Sequence, residues 1–200
     1  MIIRSTSYSQ DEIIQNIINL HTGPIELDPT YSKGYFYKKI QPPRLKFDLV
    51  PQTEDTVQAS ADKLPLEDES VGVIMFDPPF CITGGPSLQH PKPGSNIIPG
   101  RFGGFKTPDE LTDFYFYALK EFKRILRPGG WLIFKCQDTV SSSRQYWTHC
   151  FVLDTATFHG FYPKDLFILL AKSRLTDKRK QQHARKYHCY FWVFQKSITK

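Results

Sequence analysis

Apolar runs are short throughout: residues 73–76 and 166–171, among the longest, fall far below the ~20 residues that a membrane-spanning helix requires. The amino terminus, Met1-Ile2-Ile3-Arg4 followed by Ser5-Thr6-Ser7, has no basic segment leading into an apolar stretch and so does not read as a secretory signal. Both observations lead to the expectation of a cytoplasmic protein. Cysteine is scarce, and Cys81, Cys136, Cys150 and Cys189 form no C-x-x-C pair, which argues against a zinc site or redox dithiol. Free and mostly buried thiols are expected instead. The six histidines show no ligand spacing, so no metal is expected. Acids are the minority, 20 against 26 Lys and Arg, for a net charge of +6. That balance suits a polyanionic partner without requiring one.

What is present is ordinary globular composition: 40% hydrophobic and 23% charged, with no internal repeat, which excludes disorder and collagen. A chain of 200 residues can bury roughly 70% of its unfolded surface in one core, without disulfides or a structural metal. We therefore expect one domain over residues 1–200, with a Gly/Pro-rich loop at 81–106 and a basic connection at 172–188.

Ser9 followed by Glu12 predicts a capping box, and Ile13, Ile14, Ile17, Ile18 and Leu20 continue at helical spacing until Gly23-Pro24. Strands are expected at 25–28, 45–50 and, more weakly, 57–60. Residues 71–76 are apolar almost throughout, the mark of a strand buried on both faces, and Asp77-Pro78-Pro79 stops them. Thr107-Pro108-Asp109-Glu110 opens a capped helix whose apolar stripe runs to Leu126 before Pro128-Gly129-Gly130. Further expected elements are a strand at 131–136, a helix at 143–159 and two strands at 166–170 and 188–195. The last two, joined without a helix, predict an antiparallel hairpin at the end of an α/β sheet with helices on both faces. The aromatics at 114–117 and 190–194 read as core.

In an open parallel sheet, ligands sit outside the carboxyl ends of the strands. Asp28, Asp48, Asp62 and Asp77 stand at or just beyond such ends. Asp28 opens a turn, Pro29-Thr30-Tyr31-Ser32-Lys33-Gly34, in which Gly34 permits positive φ and close approach to a ligand. Asp48 follows it at close to the ~20-residue interval of ribose-binding acids in nucleotide folds. The plainer alternatives are a turn acid for Asp28, a surface acid beside Lys46 for Asp48, a turn or helix cap for Asp62 and an Asp-Pro strand ending for Asp77.

Asp77-Pro78-Pro79-Phe80 resembles the catalytic D-P-P-[YF] motif of the class I S-adenosylmethionine-dependent amino-methyltransferases that act on adenine N6 or cytosine N4 of DNA. Asp62-Lys63-Leu64-Pro65-Leu66 before it, and Arg127-Pro128-Gly129-Gly130 with Trp131-Leu132-Ile133-Phe134 behind it, extend the likeness from about residue 25 to the C-terminus. The resemblance implies a Rossmann-like sheet of about seven strands, mostly parallel, with an antiparallel C-terminal strand. It implies S-adenosylmethionine as cofactor, held by Asp28, Pro29, Thr30, Tyr31, Ser32, Gly34, Asp48, Asp62, Lys63 and Leu64, and DNA as the partner, with adenine N6 before cytosine N4. Asp77, Pro78, Pro79 and Phe80 are the implied catalytic residues. The sequence departs from the family by carrying Thr30-Tyr31-Ser32-Lys33 where a second glycine is usual before Gly34.

The residue types suit that chemistry. An exocyclic amine on a heteroaromatic ring is a poor nucleophile because its lone pair is delocalised. Hydrogen bonds from the amine to the Asp77 carboxylate and the Pro78 carbonyl would favour the pyramidal form, and the prolines would hold these acceptors rigidly. Phe80 offers a face for the base, which must leave its duplex or come from a single strand. Lys92, Arg101 and Lys106 in or beside the loop, and Lys178, Arg179, Lys180, Arg185 and Lys186 in the basic connection, are the candidate phosphate contacts. The same chemistry would serve RNA or a protein side-chain amide, and the fold could also persist as a non-catalytic nucleic-acid-binding module.

Overall fold

A computed structural model describes residues 2–80, 82, 105–172 and 181–198. Its centre is β5 (Val71–Phe76), whose side chains alternate between two cores. Ile74 and Phe76 face one cluster, whereas Val73 and Met75 face the other. This explains the unbroken apolar run: neither face of the strand meets water.

Strands β1 (Thr6–Ser7), β2 (Leu27–Asp28), β3 (Leu45–Asp48), β4 (Val57–Gln58), β6 (Leu126–Cys136), β9 (Phe161–Leu170) and β10 (His188–Lys196) complete an eight-stranded sheet of order β1-β9-β10-β6-β5-β2-β3-β4. Strand β10 is antiparallel to both neighbours, and the other pairings are parallel. Seven strands and an antiparallel last strand were expected; β1, pairing with the β9 edge through Thr6 and Ser7, is the eighth. Its two residues are too few to carry an alternation, which is why the sequence does not announce it.

Helix α1 (Gln10–Ile17) seats Ile13, Ile14 and Ile17 on one face of the sheet. It continues as a π-helical turn, Ile18–Thr22, and stops at Gly23 with φ 67°. The expected capping box forms by half: Ser9 Oγ accepts from the Glu12 N–H at 3.3 Å. The Glu12 carboxylate instead takes the Ser7 hydroxyl, and Ser7 Oγ accepts the Ser9 N–H. Helix α2 (Pro108–Ile125), capped by Thr107, covers the opposite face with Leu111, Tyr115, Ala118, Leu119, Phe122 and Ile125. Helix α3 (Thr148–Phe158) packs beside it.

Two expectations are corrected. Residues 143–147 are not helical: β7 (Thr139–Ser141) and β8 (Arg144–Tyr146) form a hairpin, and α3 begins only at Thr148. Ser142 and Ser143, both at positive φ, make its two-residue turn. Nor do helices alternate with strands throughout. Between β2 and β3 the chain makes only the 3₁₀ turn Tyr35–Tyr37. Cys136 is buried, but Cys150 is exposed, on the same outward stripe of α3 as Asp154 and Thr157. The aromatics at 114–117 and 190–194 belong to the cores except Tyr117, which is exposed, and Phe116, which is half-buried against Phe158 and His159. No helix among the described residues is long and apolar enough to cross a membrane.

Candidate active site

The carboxyl ends of β2, β3 and β5 bring together three of the four acids. Asp28 ends β2 and is 2% exposed. Its Oδ1 accepts from the Thr30 N–H at 2.8 Å and from Thr30 Oγ1 at 3.1 Å, and its Oδ2 accepts from the Tyr37 hydroxyl at 2.8 Å. Burial outweighs these bonds and pushes its carboxyl up to about 7, with a smaller contribution in the same direction from Asp77.

The turn after Asp28 is tightly determined. Pro29 is buried, and Tyr31 stacks on Tyr37 with ring centroids 5.6 Å apart. Gly34 has φ 66°, and a Cβ there would lie 2.5 Å from Tyr31 Oη, so both backbone and neighbour require glycine. Ser32, at φ 51°, gives its N–H to Asp48 Oδ2 at 2.8 Å, while its own Oγ is buried without a hydrogen-bond partner. Asp48 ends β3 and also accepts the Val50 N–H at 2.9 Å. Lys46, beside it in sequence, pairs with Asp55.

Asp62 lies beyond β4, half-buried, and makes no hydrogen bond to another described residue. Its neighbours are anchored to α2. The Leu64 N–H donates to Glu121 Oε1 at 2.8 Å, and Arg124 donates to the carbonyls of Leu64 and Leu66. Lys63 is exposed, with its N–H closing a turn onto the Ser60 carbonyl.

Asp77 ends β5, and Thr30 Oγ1 accepts its N–H at 3.0 Å. Its carboxylate meets Lys135, from the adjacent strand β6, at 3.2 Å from Oδ1 and in hydrogen-bond geometry at 3.3 Å from Oδ2. Oδ1 is buried and accepts no hydrogen bond. Burial raises the Asp77 pKa, and the Lys135 charge opposes the rise. Pro78 is buried, whereas Pro79 and Phe80 are half-buried at the rim.

Lys135 escaped the sequence reading. It is 8% exposed, its Nζ also donates to Gln10 Oε1 at 3.1 Å, and it lies over the rings of Phe36, Phe191 and Phe80 at 4.7, 5.6 and 6.0 Å. A lysine inside an apolar strand, Trp131-Leu132-Ile133-Phe134-Lys135-Cys136, was the available signal. Of the expected phosphate contacts, Lys106 is exposed at the start of α2, and Arg185 and Lys186 are half-buried ahead of β10. Lys92, Arg101, Lys178, Arg179 and Lys180 lie outside the described residues. Among the described residues no group of three or more His, Cys, Asp or Glu could hold a metal ion.

No protein-family model and no curated protein matches the sequence. Solved structures do resemble the fold. A SAM-dependent methyltransferase from Thermotoga maritima aligns over 95% of this chain and 90% of its own, with 15% identity and a TM-score of 0.56. The [4+2]-cyclase SpnF aligns over 94% and 82%, with 13% identity and a TM-score of 0.53. A protein described as a DNA modification methylase of Thermus thermophilus aligns over 77% of this chain and 53% of its own, with 17% identity and a TM-score of 0.46. The chain thus spans about half the length of that protein. The fold is the one shared by SAM-dependent methyltransferases, and it is carried by a cyclase as well, so it establishes the scaffold and leaves the reaction to the site.

Proposed function

We propose that the protein transfers a methyl group from S-adenosylmethionine to an exocyclic amino group of DNA, adenine N6 before cytosine N4. Residues 1–200 would act as one catalytic domain, in the cytoplasm. The observation that carries this reading is Asp77 at the end of the central strand: Thr30 holds its backbone N–H, Lys135 pairs with its carboxylate, and the buried Oδ1 has that ion pair and no hydrogen bond. A carboxylate oxygen has lone pairs beyond the one facing an ammonium, so this buried atom can still take a donor. An amine N–H is one.

The residues around the β2 and β3 ends suit the cofactor in three respects. Ser32 Oγ is a second buried polar atom without a partner. Each Asp48 oxygen accepts one backbone N–H and keeps a lone pair for a ribose hydroxyl. Asp62 is uncommitted among the described residues, above a segment that Glu121 and Arg124 hold in place. Tyr31, in the Thr30-Tyr31-Ser32-Lys33 stretch that lacks the family's usual second glycine, lies against Gly34 and would flank the methionine portion.

When bound, the cofactor supplies an electrophilic methyl group and a thioether leaving group. The chain does the rest. Asp77 and the Pro78 carbonyl accept the two amine N–H bonds, which localises the nitrogen lone pair, and Phe80 supports the ring. The methylated nitrogen is cationic and far more acidic than the amine, so the Asp77 carboxylate can take its proton. Burial raises the Asp77 pKa, and the Lys135 charge opposes the rise and so favours the carboxylate.

The test is incubation with labelled S-adenosylmethionine and, in parallel, duplex DNA, single-stranded DNA, RNA and a neutral peptide. Label in DNA is expected. Label confined to RNA or peptide would move the acceptor, and label in none, with calorimetry showing cofactor bound, would overturn the reading.

A further inference from the structure

Next to the Asp77 strand, the chain leaving β6 builds a surface that the proposed reaction does not use. Asp138 follows β6 and is buried; its Oδ1 accepts from the His149 N–H at 3.2 Å and pairs with His149 Nδ1 at 2.7 Å. It thereby does the work of a helix N-cap for α3. The residue in the N-cap position itself, Trp147, makes no side-chain capping bond and is 59% exposed. A large aromatic there satisfies neither the helix end nor the core.

Cations and rings alternate around it. The Lys186 ammonium lies 5.3 Å over the Trp147 ring, and the Arg144 guanidinium 5.6 Å over Tyr146. His183 is fastened to the hairpin, its Nε2 donating to the Ser143 carbonyl at 2.8 Å. Ser142 and Ser143 adopt left-handed conformations to make that turn. The neighbouring acid, Asp138, is engaged by His149 and Tyr190.

We infer that Trp147, Arg144 and Lys186 form a stacking platform for an unpaired DNA strand, with Trp147 against a base and the two cations on flanking phosphates. An exposed ring with one cation over it, next to a second ring–cation pair, is the chemistry that single strands select, since every base has a stacking face and every linkage a charge. An apolar protein partner would instead meet the Lys186 ammonium over the Trp147 ring and the Arg144 guanidinium over Tyr146. The choice of DNA rests on the reading proposed above; the platform itself does not need methyl transfer.

The experiment is fluorescence anisotropy of a labelled mixed-sequence single-stranded DNA against wild type, Trp147→Ala, Trp147→Phe and Arg144→Gln/Lys186→Gln. Inorganic polyphosphate and a matched RNA serve as competitors, over a salt series and without cofactor. Trp147→Ala is expected to weaken DNA binding about tenfold, leaving the salt slope and polyphosphate competition unchanged, with Trp147→Phe recovering most of the loss. Arg144→Gln/Lys186→Gln is expected to lower the salt slope by roughly 1.4, about 0.7 for each phosphate contact to a single strand. Unchanged DNA affinity in a folded Trp147→Ala protein, or no DNA binding by the wild type, overturns the inference, and stronger competition by RNA overturns the assignment to DNA. A protein that binds DNA in this way yet transfers no methyl group keeps the platform and loses the proposed reaction.

Discussion

Thr30 and Asp77 are joined through one hydroxyl: Thr30 Oγ1 accepts the Asp77 N–H at 3.0 Å and donates to Asp28 Oδ1 at 3.1 Å. The turn after β2, assigned to the cofactor, and the turn after β5, assigned to the amine, are thereby held at one spacing. Removing the hydroxyl while keeping the shape separates this link from packing. Thr30→Val is expected to lose about 1–3 kcal/mol of stability and to slow transfer, whereas Thr30→Ser retains both. Thermal unfolding and single-turnover rates of the two variants check it, and a Thr30→Val protein as fast as wild type would show that the link has no part in catalysis.

Lys135 and Asp77 are a buried pair, and breaking such a pair is worse than removing it. Asp77→Asn leaves an ammonium among Phe36, Phe80 and Phe191 without its counter-charge, at a cost of about 3–5 kcal/mol. Adding Lys135→Met is expected to restore most of that stability and none of the transfer, with cofactor affinity within a few-fold of wild type in both variants. Denaturant unfolding, calorimetry and the transfer assay read the three quantities separately.

Lys135→Met alone acts through the Asp77 charge. Burial already raises the Asp77 pKa and Lys135 opposes the rise, so losing the lysine raises it further. Transfer requires the carboxylate, and the acid limb of the rate profile is therefore expected to move to higher pH. A variant that loses rate equally at every pH would assign Lys135 a packing role only.

Asp28 gives the fold itself a pH dependence. Its carboxyl is raised to about 7, above the ordinary unfolded value, so between the two the folded state binds more protons. Its contribution is fully present below the unfolded pKa and is lost as pH rises through about 7. The slope is about 1.4 kcal/mol per pH unit within that window. Asp28→Asn, whose amide can donate to Tyr37 while its oxygen accepts from Thr30, is expected to flatten this part of the stability curve. Unfolding midpoints of both proteins from pH 4 to 9 test it.

Much of this arrangement was legible in residue order, because the elements that matter are locally specified. Residues 71–76 could only be a strand buried on both faces, and Thr107-Pro108 carries its own helix start. Asp28, Asp48 and Asp77 follow from the rule that strand ends carry ligands. The misses share a physical cause, in that each depends on partners distant in sequence. Asp138 takes over the capping of α3, so residues 143–147 are free to form a hairpin despite a helix-like reading. Strand β1 exists only because the β9 edge is there to receive it. Lys135 became part of the site only when β6 lay beside β5. The pairing of Arg144 with Tyr146 and of Lys186 with Trp147 was not visible in residue order, because it required the hairpin.

The central claim, methyl transfer to an exocyclic amine at Asp77, is tested most directly by mass spectrometry of nucleosides. Unmethylated DNA would be incubated with the protein and S-adenosylmethionine, then digested. N6-methyladenine is predicted with wild type and absent with Asp77→Asn. Unmodified nucleosides from a wild-type protein with bound cofactor, or equal methylation by Asp77→Asn, would contradict it.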